Sequence, residues 1–181
     1  PEPPRTIAPT ENIEAALDLL EGAERPLALV GKGMAWAQAE DEVRDFIDRT
    51  QIPFVRSPMG KGVVPDEHPL AASAARTLAL QQADVIFLMG ARFNWIFHFG
   101  LPPRFAPDAK VIQLDIAPEE IGHNKPSEVA LVGDGKSIMG QLNQALEGRQ
   151  WFYPKDTPWR TALNEKISSN VTTLQAQLND D

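Results

Sequence analysis

Apolar residues in this chain fall into short continuous runs, separated by stretches in which they recur every three or four positions. The runs are Pro26-Leu-Ala-Leu-Val30, Ile52-Pro-Phe-Val55, Asp84-Val-Ile-Phe-Leu-Met89, Lys110-Val-Ile-Gln-Leu-Asp115 and Val129-Ala-Leu-Val132. Short runs without polar alternation predict strands covered on both faces, as in a parallel sheet. Ile13, Ala16, Leu17 and Leu20 recur at helical spacing and predict a first helix, with Thr10 as its N-cap and Gly22 as its end. Val43, Phe46 and Ile47 predict a helix from Trp36 to Arg49, and a small-residue helix is expected from Ser73 to Gln82. A short helix is expected around Pro118 to Ile121, and Ile138, Leu142 and Leu146 mark one over Ser137 to Leu146. The stretches Ser57 to Asp66 and Ala91 to Pro107 carry the glycines, prolines and aromatics of loops.

Strands alternating with helices imply right-handed crossovers. The fold expected is therefore α/β: a doubly wound, mostly parallel sheet of five or six strands with helices on both faces. Residues 1–10 are expected to be a proline-rich linker and 11–148 the α/β domain. Residues 149–181, with Trp151, Tyr153 and Trp159 before a weakly periodic helix to Leu178, are expected to be a tail packing on something outside this domain. The opening Pro1-Glu2-Pro3-Pro4, without an initiator methionine, fits a piece of a longer protein.

Composition narrows the chemistry. The 181 residues carry no cysteine, which removes disulfides, thiolate ligands and a cysteine nucleophile. A net charge of −8 without a basic stripe is a poor match to a nucleic-acid backbone. No apolar run approaches the roughly 20 residues of a membrane helix, and no secretory signal is visible. The expectation is a protein that is not secreted. Asn179-Asp-Asp181 is not a peroxisomal tripeptide.

In doubly wound sheets ligands sit beyond the carboxyl ends of the strands. That rule directs attention to Gly31-Lys32-Gly33, Gly90-Ala91-Arg92, Asp115 and Gly133-Asp134. Gly31-Lys32-Gly33 is either a phosphate-binding turn or merely a tight one; Trp36 stands where the dinucleotide fingerprint needs its third glycine. Met59-Gly-Lys-Gly62 carries the same ambiguity. Gly133-Asp-Gly-Lys-Ser137 ends like a Walker A loop, but Ala130 replaces that motif's first glycine. It reads best as strand, turn and helix N-cap, with Asp134 available to a ligand hydroxyl. Asp115 suits either a ribose or the cap of the short helix near Pro118. Arg76 and Arg92 suit either phosphates or structural ion pairs. His68, His98 and His123 lack ligand spacing, so no catalytic or metal centre is expected.

Several motifs together resemble the middle domain of the thiamine-diphosphate-dependent 2-hydroxyacyl-CoA lyase and oxalyl-CoA decarboxylase family. They are Gly31-Lys-Gly-Met-Ala35, Pro58-Met-Gly-Lys-Gly-Val-Val-Pro-Asp66, Ala74-Ala-Arg-Thr-Leu-Ala79, Gly90-Ala-Arg-Phe-Asn-Trp95 and Gln113-Leu-Asp-Ile116. The stretch His98-Phe-Gly-Leu-Pro-Pro-Arg104 is more similar to the lyases. The resemblance implies a homotetrameric parent of three α/β domains, whose first and third bind thiamine diphosphate and Mg²⁺. It also implies that Lys32, Arg92, Asp115, Ile116 and Asp134 line an ADP pocket and that Arg76 meets coenzyme A phosphates. The parent would split 2-hydroxyacyl-CoA into formyl-CoA and an aldehyde, and this segment alone would be inactive. A cytoplasmic or peroxisomal location is likewise what the resemblance implies. Two rivals are an FAD-binding middle domain of an acetolactate-synthase-like enzyme and a free-standing nucleotide-binding regulatory module. A severed domain should expose apolar patches, for which Phe93, Trp95, Phe97, Phe99 and the aromatic tail are the candidates.

Overall fold

The structure, a computed structural model, describes residues 4–60, 62–65, 67–94, 97 and 100–179. Of the residues singled out above, Pro1, Glu2, Pro3, Lys61, Asp66, Trp95, His98, Phe99, Asp180 and Asp181 lie outside that set. Five strands, β1 (Pro26–Val30), β2 (Phe54–Arg56), β3 (Val85–Met89), β4 (Lys110–Asp115) and β5 (Val129–Val132), form one parallel sheet in the order β2-β1-β3-β4-β5. Ala28 pairs with Phe54 on one side and Phe87 on the other, which fixes the register of the three left-hand strands. Every residue of β1 and β3 is buried, as unalternating apolar runs require.

The helices are α1 (Thr10–Glu21), α2 (Lys32–Trp36), α3 (Glu40–Thr50), α4 (Arg76–Gln82), α5 (Gly135–Glu147) and α6 (Pro158–Asn179). The β1-to-β2 connection moves one way across the sheet and the later connections the other. Right-handed crossovers therefore put α3 and α4 on opposite faces. Contacts of α5 with α3 and α1 assemble the first layer, and contacts of α4 with α6 the second. Arg149 clamps the first layer by pairing with Glu14, Asp18 and Glu21 of α1.

Among the described residues, neither β3-to-β4 nor β4-to-β5 carries an α-helix, so loops must cover the second face there. Phe93, Phe97 and Phe105 do so, with Phe93 and Phe105 packed edge to face at 5.3 Å. Phe93 and Phe97 are therefore not an exposed patch: at 4% and 2% exposure they take the place of a missing crossover helix. Gln113, buried in β4, secures the next connection. Its amide donates to the Glu120 carbonyl, and its oxygen accepts from Gly122 N and Ser127 Oγ.

The structure corrects several local expectations. Thr10 is the first helical residue, not the cap; the Pro9 carbonyl receives the amides of Asn12 and Ile13 instead. The helix expected over Trp36 to Arg49 is two helices, broken where Gln38 takes φ 56°. Arg5 and Lys136 hold that break open by donating to the carbonyls of Ala37 and Gln38. The N-terminal residues are a strap rather than a free linker, since Ala8 exchanges hydrogen bonds with the Gln141 amide. The first half of the tail packs on this domain: the Trp159 indole donates to the Pro26 carbonyl, Tyr153 is buried, and Leu163 joins the core. Among the described residues, the large apolar side chains of the tail that remain exposed are Phe152 and the outer positions Val171, Leu174 and Leu178.

Glycines offer a sharp test of this packing. A Cβ on Gly31 would lie 2.3 Å from the Gly90 oxygen and 2.7 Å from Ala91 Cα, both backbone atoms that cannot swing aside. Gly140, in the middle of α5, has nothing within 4 Å of its would-be Cβ. Gly31→Ala should destabilise by about 3 kcal/mol or more through overpacking. Gly140→Ala should stabilise by roughly 0.5–1 kcal/mol through helix propensity. Urea unfolding of both variants checks the pair, and equal effects would contradict the packing described.

Candidate functional site at the strand ends

In the order β2-β1-β3-β4-β5 the winding reverses between β1 and β3, so the crevice for a ligand opens beyond those two strand ends. Two backbone turns meet there. Gly31 N donates to the Met89 carbonyl at 2.9 Å and Gly33 N to the Gly90 carbonyl at 3.1 Å. Gly90 adopts φ 59° and lies against Gly33, where any Cβ would collide. These two amides are committed to β3, so the turn serves packing and cannot offer them to a phosphate. Side chains must supply the chemistry of the rim.

Lys32 and Trp36 share one exposed face of α2, with the ammonium 5.1 Å from the indole centroid. Arg92, after β3, reaches Asp115 at 3.5 Å and Glu120 at 3.2 Å while remaining half exposed. Asp115 is buried. Its Oδ1 accepts from Ala117 N at 2.9 Å, and its Oδ2 faces Arg92. The short helix Pro118–Glu120 starts from Ala117 with no side-chain cap, so Asp115 closes the turn before that helix and does not cap it. Ile116 follows in solvent at 70% exposure. The Asp115 carbonyl accepts from Gly133 N, which brings the β5 end alongside.

Asp134 begins α5 as expected of an N-cap, accepting from the amide and hydroxyl of Ser137, each at 2.9 Å. It also pairs with Arg5 at 3.2 Å. Burial alone would raise its pKa, but the Ser137 bonds and the Arg5 guanidinium outweigh that and hold it below the usual carboxylate range. Arg5 carried no signal in the sequence, because its partner lies 129 positions away.

Lys32, Arg92, Asp115, Ile116 and Asp134 thus occupy consecutive strand ends along one edge of the sheet. Arg76 does not join them. It lies in an open cleft of about 550 Å³ between α4 and α6, lined also by Ser73, Thr77, Gln81, Lys166 and Asn170. The Arg76 guanidinium stacks on Phe97 at 4.8 Å, and burial lowers its pKa. Lys166 and Asn170 were invisible as site residues in the sequence, since only the fold of the tail brings them there. His68 is structural: its ring meets Asp48 at 2.8 Å and packs edge-on to Phe54.

The family model described as the thiamine pyrophosphate enzyme central domain matches residues 13–142. Human 2-hydroxyacyl-CoA lyase 1 is 46% identical over 168 residues, covering 93% of this chain and 29% of that protein. The rice 2-hydroxyacyl-CoA lyase is 45% identical over 179 residues, covering 99% of this chain and 31% of that protein. Oxalyl-CoA decarboxylase of Escherichia coli K12 is 41% identical over 179 residues, covering 98% and 31%. The chain therefore spans only about three tenths of the length of these relatives.

The Asp134 cap predicts a pH dependence with a definite sign. A carboxylate whose pKa is depressed on folding adds stability that is complete above its unfolded value and is lost as pH falls toward the folded value. Asp134→Ala should cost about 1 kcal/mol at pH 7, in line with loss of a helix N-cap. The penalty should shrink near pH ~3, where the unfolded-state carboxyl protonates. Urea unfolding at the two pH values checks this, and an equal penalty at both would contradict it.

Proposed function

Because the chain belongs to the thiamine pyrophosphate enzyme central-domain family, we propose that it is the non-catalytic middle of a 2-hydroxyacyl-CoA lyase. The observation that carries this reading is the agreement between the cationic and acidic strand-end rim and the similarity to the lyases along almost the whole chain. The parent would split a 2-hydroxyacyl-CoA into formyl-CoA and an aldehyde, as a homotetramer. A decarboxylase acting on oxalyl-CoA is the second reading, favoured by the 41% identity to the bacterial enzyme. Turnover of the two acyl-CoA substrates by the complete protein separates them.

The family cofactor is thiamine diphosphate, usually with Mg²⁺, and the residues here do not fit it. Gly133-Asp134-Gly135 resembles the start of a cofactor-metal motif, but that motif needs an Asn-Asn pair downstream and none follows in these residues. Among the described residues no three His, Asp or Glu side chains cluster to hold a metal ion. No bond-making step is assigned to this chain, and its 181 residues alone should show no thiamine-diphosphate-dependent turnover.

The role proposed for the domain is to hold ADP on the strand-end rim and coenzyme A phosphates in the Arg76 cleft. Arg92 is available for the first task. Its guanidinium is half exposed, so a ligand phosphate can reach it while it stays paired with Asp115 and Glu120. Asp115 and Asp134 would accept ribose hydroxyls, Lys32 would meet phosphate, and Ile116 would give apolar contact. In the cleft, Arg76 would offer its guanidinium to a phosphate, with Lys166 as a second cation in the wall.

Calorimetric titration tests both sites. The 181-residue chain should bind ADP saturably, and Arg92→Ala and Asp115→Ala should each weaken that binding roughly 10- to 100-fold, the loss of one charge-assisted hydrogen bond. Arg76→Ala should instead weaken coenzyme A and leave ADP unchanged. Absence of ADP binding by the parent chain would reduce the rim to a structural edge, and unchanged coenzyme A binding by Arg76→Ala would remove the cleft from the account.

A further inference from the structure

Among the described residues, Trp36 is the largest side chain left in solvent next to the candidate site, at 78% exposure. It is not there to close a core; in α2 that task falls to Met34, which is buried against Gly90 and Gly135. The indole stands four positions after Lys32, so the two side chains rise from the same face of α2. The ammonium lies 5.1 Å from the ring centroid, a cation–π arrangement that covers one face of the indole. The short helix bridges two parts of the rim. At its start, Gly33 is bonded to Gly90 at the β3 end. Just past its end, Ala37 packs against Gly135 and its carbonyl accepts from Arg5, which pairs with Asp134. Because the Gly31 and Gly33 amides are committed to Met89 and Gly90, what α2 presents to a ligand is one cation beside one open aromatic face.

We infer that Lys32 and Trp36 act together as a clamp for a nucleoside diphosphate, the ammonium meeting phosphate and the indole stacking on the base. This rests on the nucleotide reading of the rim and adds to it the residue that recognises the base. The pairing selects a ligand that carries a negative charge and a flat aromatic group a few ångströms apart. Neither inorganic pyrophosphate nor a nucleoside satisfies both halves. Since stacking accepts any base with a π-face, the clamp favours nucleotides over other phosphates without choosing strongly among bases.

The test compares ADP, adenosine and inorganic pyrophosphate on the 181-residue chain and its variants by calorimetry. Trp36→Ala should weaken ADP about tenfold, within the usual range for loss of one base–aromatic stack, and leave pyrophosphate unchanged. Trp36→Phe should restore most of the ADP affinity, and Lys32→Ala should weaken ADP and pyrophosphate alike. Trp36 is exposed, so these variants should keep the parent's unfolding midpoint. If the parent binds ADP and Trp36→Ala binds it equally well, the clamp is wrong while the nucleotide site stands. If Trp36→Ala instead abolishes self-association seen by sedimentation, with ADP binding unchanged, the indole is a contact between copies and the clamp is again wrong. If the parent binds no ADP, the nucleotide reading and the clamp fall together.

Discussion

The structure depends on the close approach of two backbone turns, Gly31 to Gly33 after β1 and Gly90 after β3. Their hydrogen bonds, Gly31 to Met89 and Gly33 to Gly90, extend the β1–β3 pairing past the ends of the strands. The contact leaves no room for side chains, since a Cβ on Gly31, Gly33 or Gly90 would fall under 3 Å from backbone atoms of the opposite turn. It occurs where the winding of the sheet reverses, the place where doubly wound folds open a crevice. By closing the backbone there, it leaves the rim to the side chains that the strand ends carry, Lys32, Arg92, Asp115 and Asp134, which are the residues proposed to hold a nucleotide. It also sets the direction of α2, and with it the exposed placement of Trp36.

Much of this was legible in the chain because buried parallel strands leave few alternatives. An apolar run such as Val85 to Met89 is buried throughout, so its start is marked by the polar Asp84, and β4 and β5 fall where the pattern places them. Asp134 was legible for a local reason, since a cap and its Ser137 partner lie three positions apart. What was hidden depends on distance along the chain. The break between α2 and α3 is held by Arg5 and Lys136, 32 and 98 positions from the carbonyls they reach. Local pattern sees continuous helix there because Val43, Phe46 and Ile47 carry the period and nothing nearby opposes it.

The aromatic loop was misread for a related reason. Phe93 and Phe97 sit among prolines and small residues, a composition that suggests a surface. Whether a loop side chain is exposed depends on what its own crossover leaves uncovered. Here no helix spans the β3-to-β4 connection among the described residues, and the phenylalanines close that face. The same closure places Phe97 beneath Arg76, so the loop that completes the core also supports the cation of the second cleft. The tail behaves alike: Trp159 and Leu163 anchor α6, and α6 then contributes Lys166 and Asn170 to the cleft wall. Core formation and site formation are thus one process on that face. Both sites proposed for the domain are consequences of how its edges and crossovers are closed.

The central claim is that a nucleotide is read by side chains at the ends of β1, β3, β4 and β5. Backbone amide NMR of the isotopically labelled 181-residue chain, recorded with increasing ADP, addresses it most directly. The account predicts progressive shifts at Lys32 to Trp36, at Arg92, from Asp115 to Ala117 and at Gly133 to Gly135, with the α4–α6 cleft silent. Shifts confined to Ser73 to Gln81 and the Lys166 region, or none anywhere at saturating ADP, would contradict it.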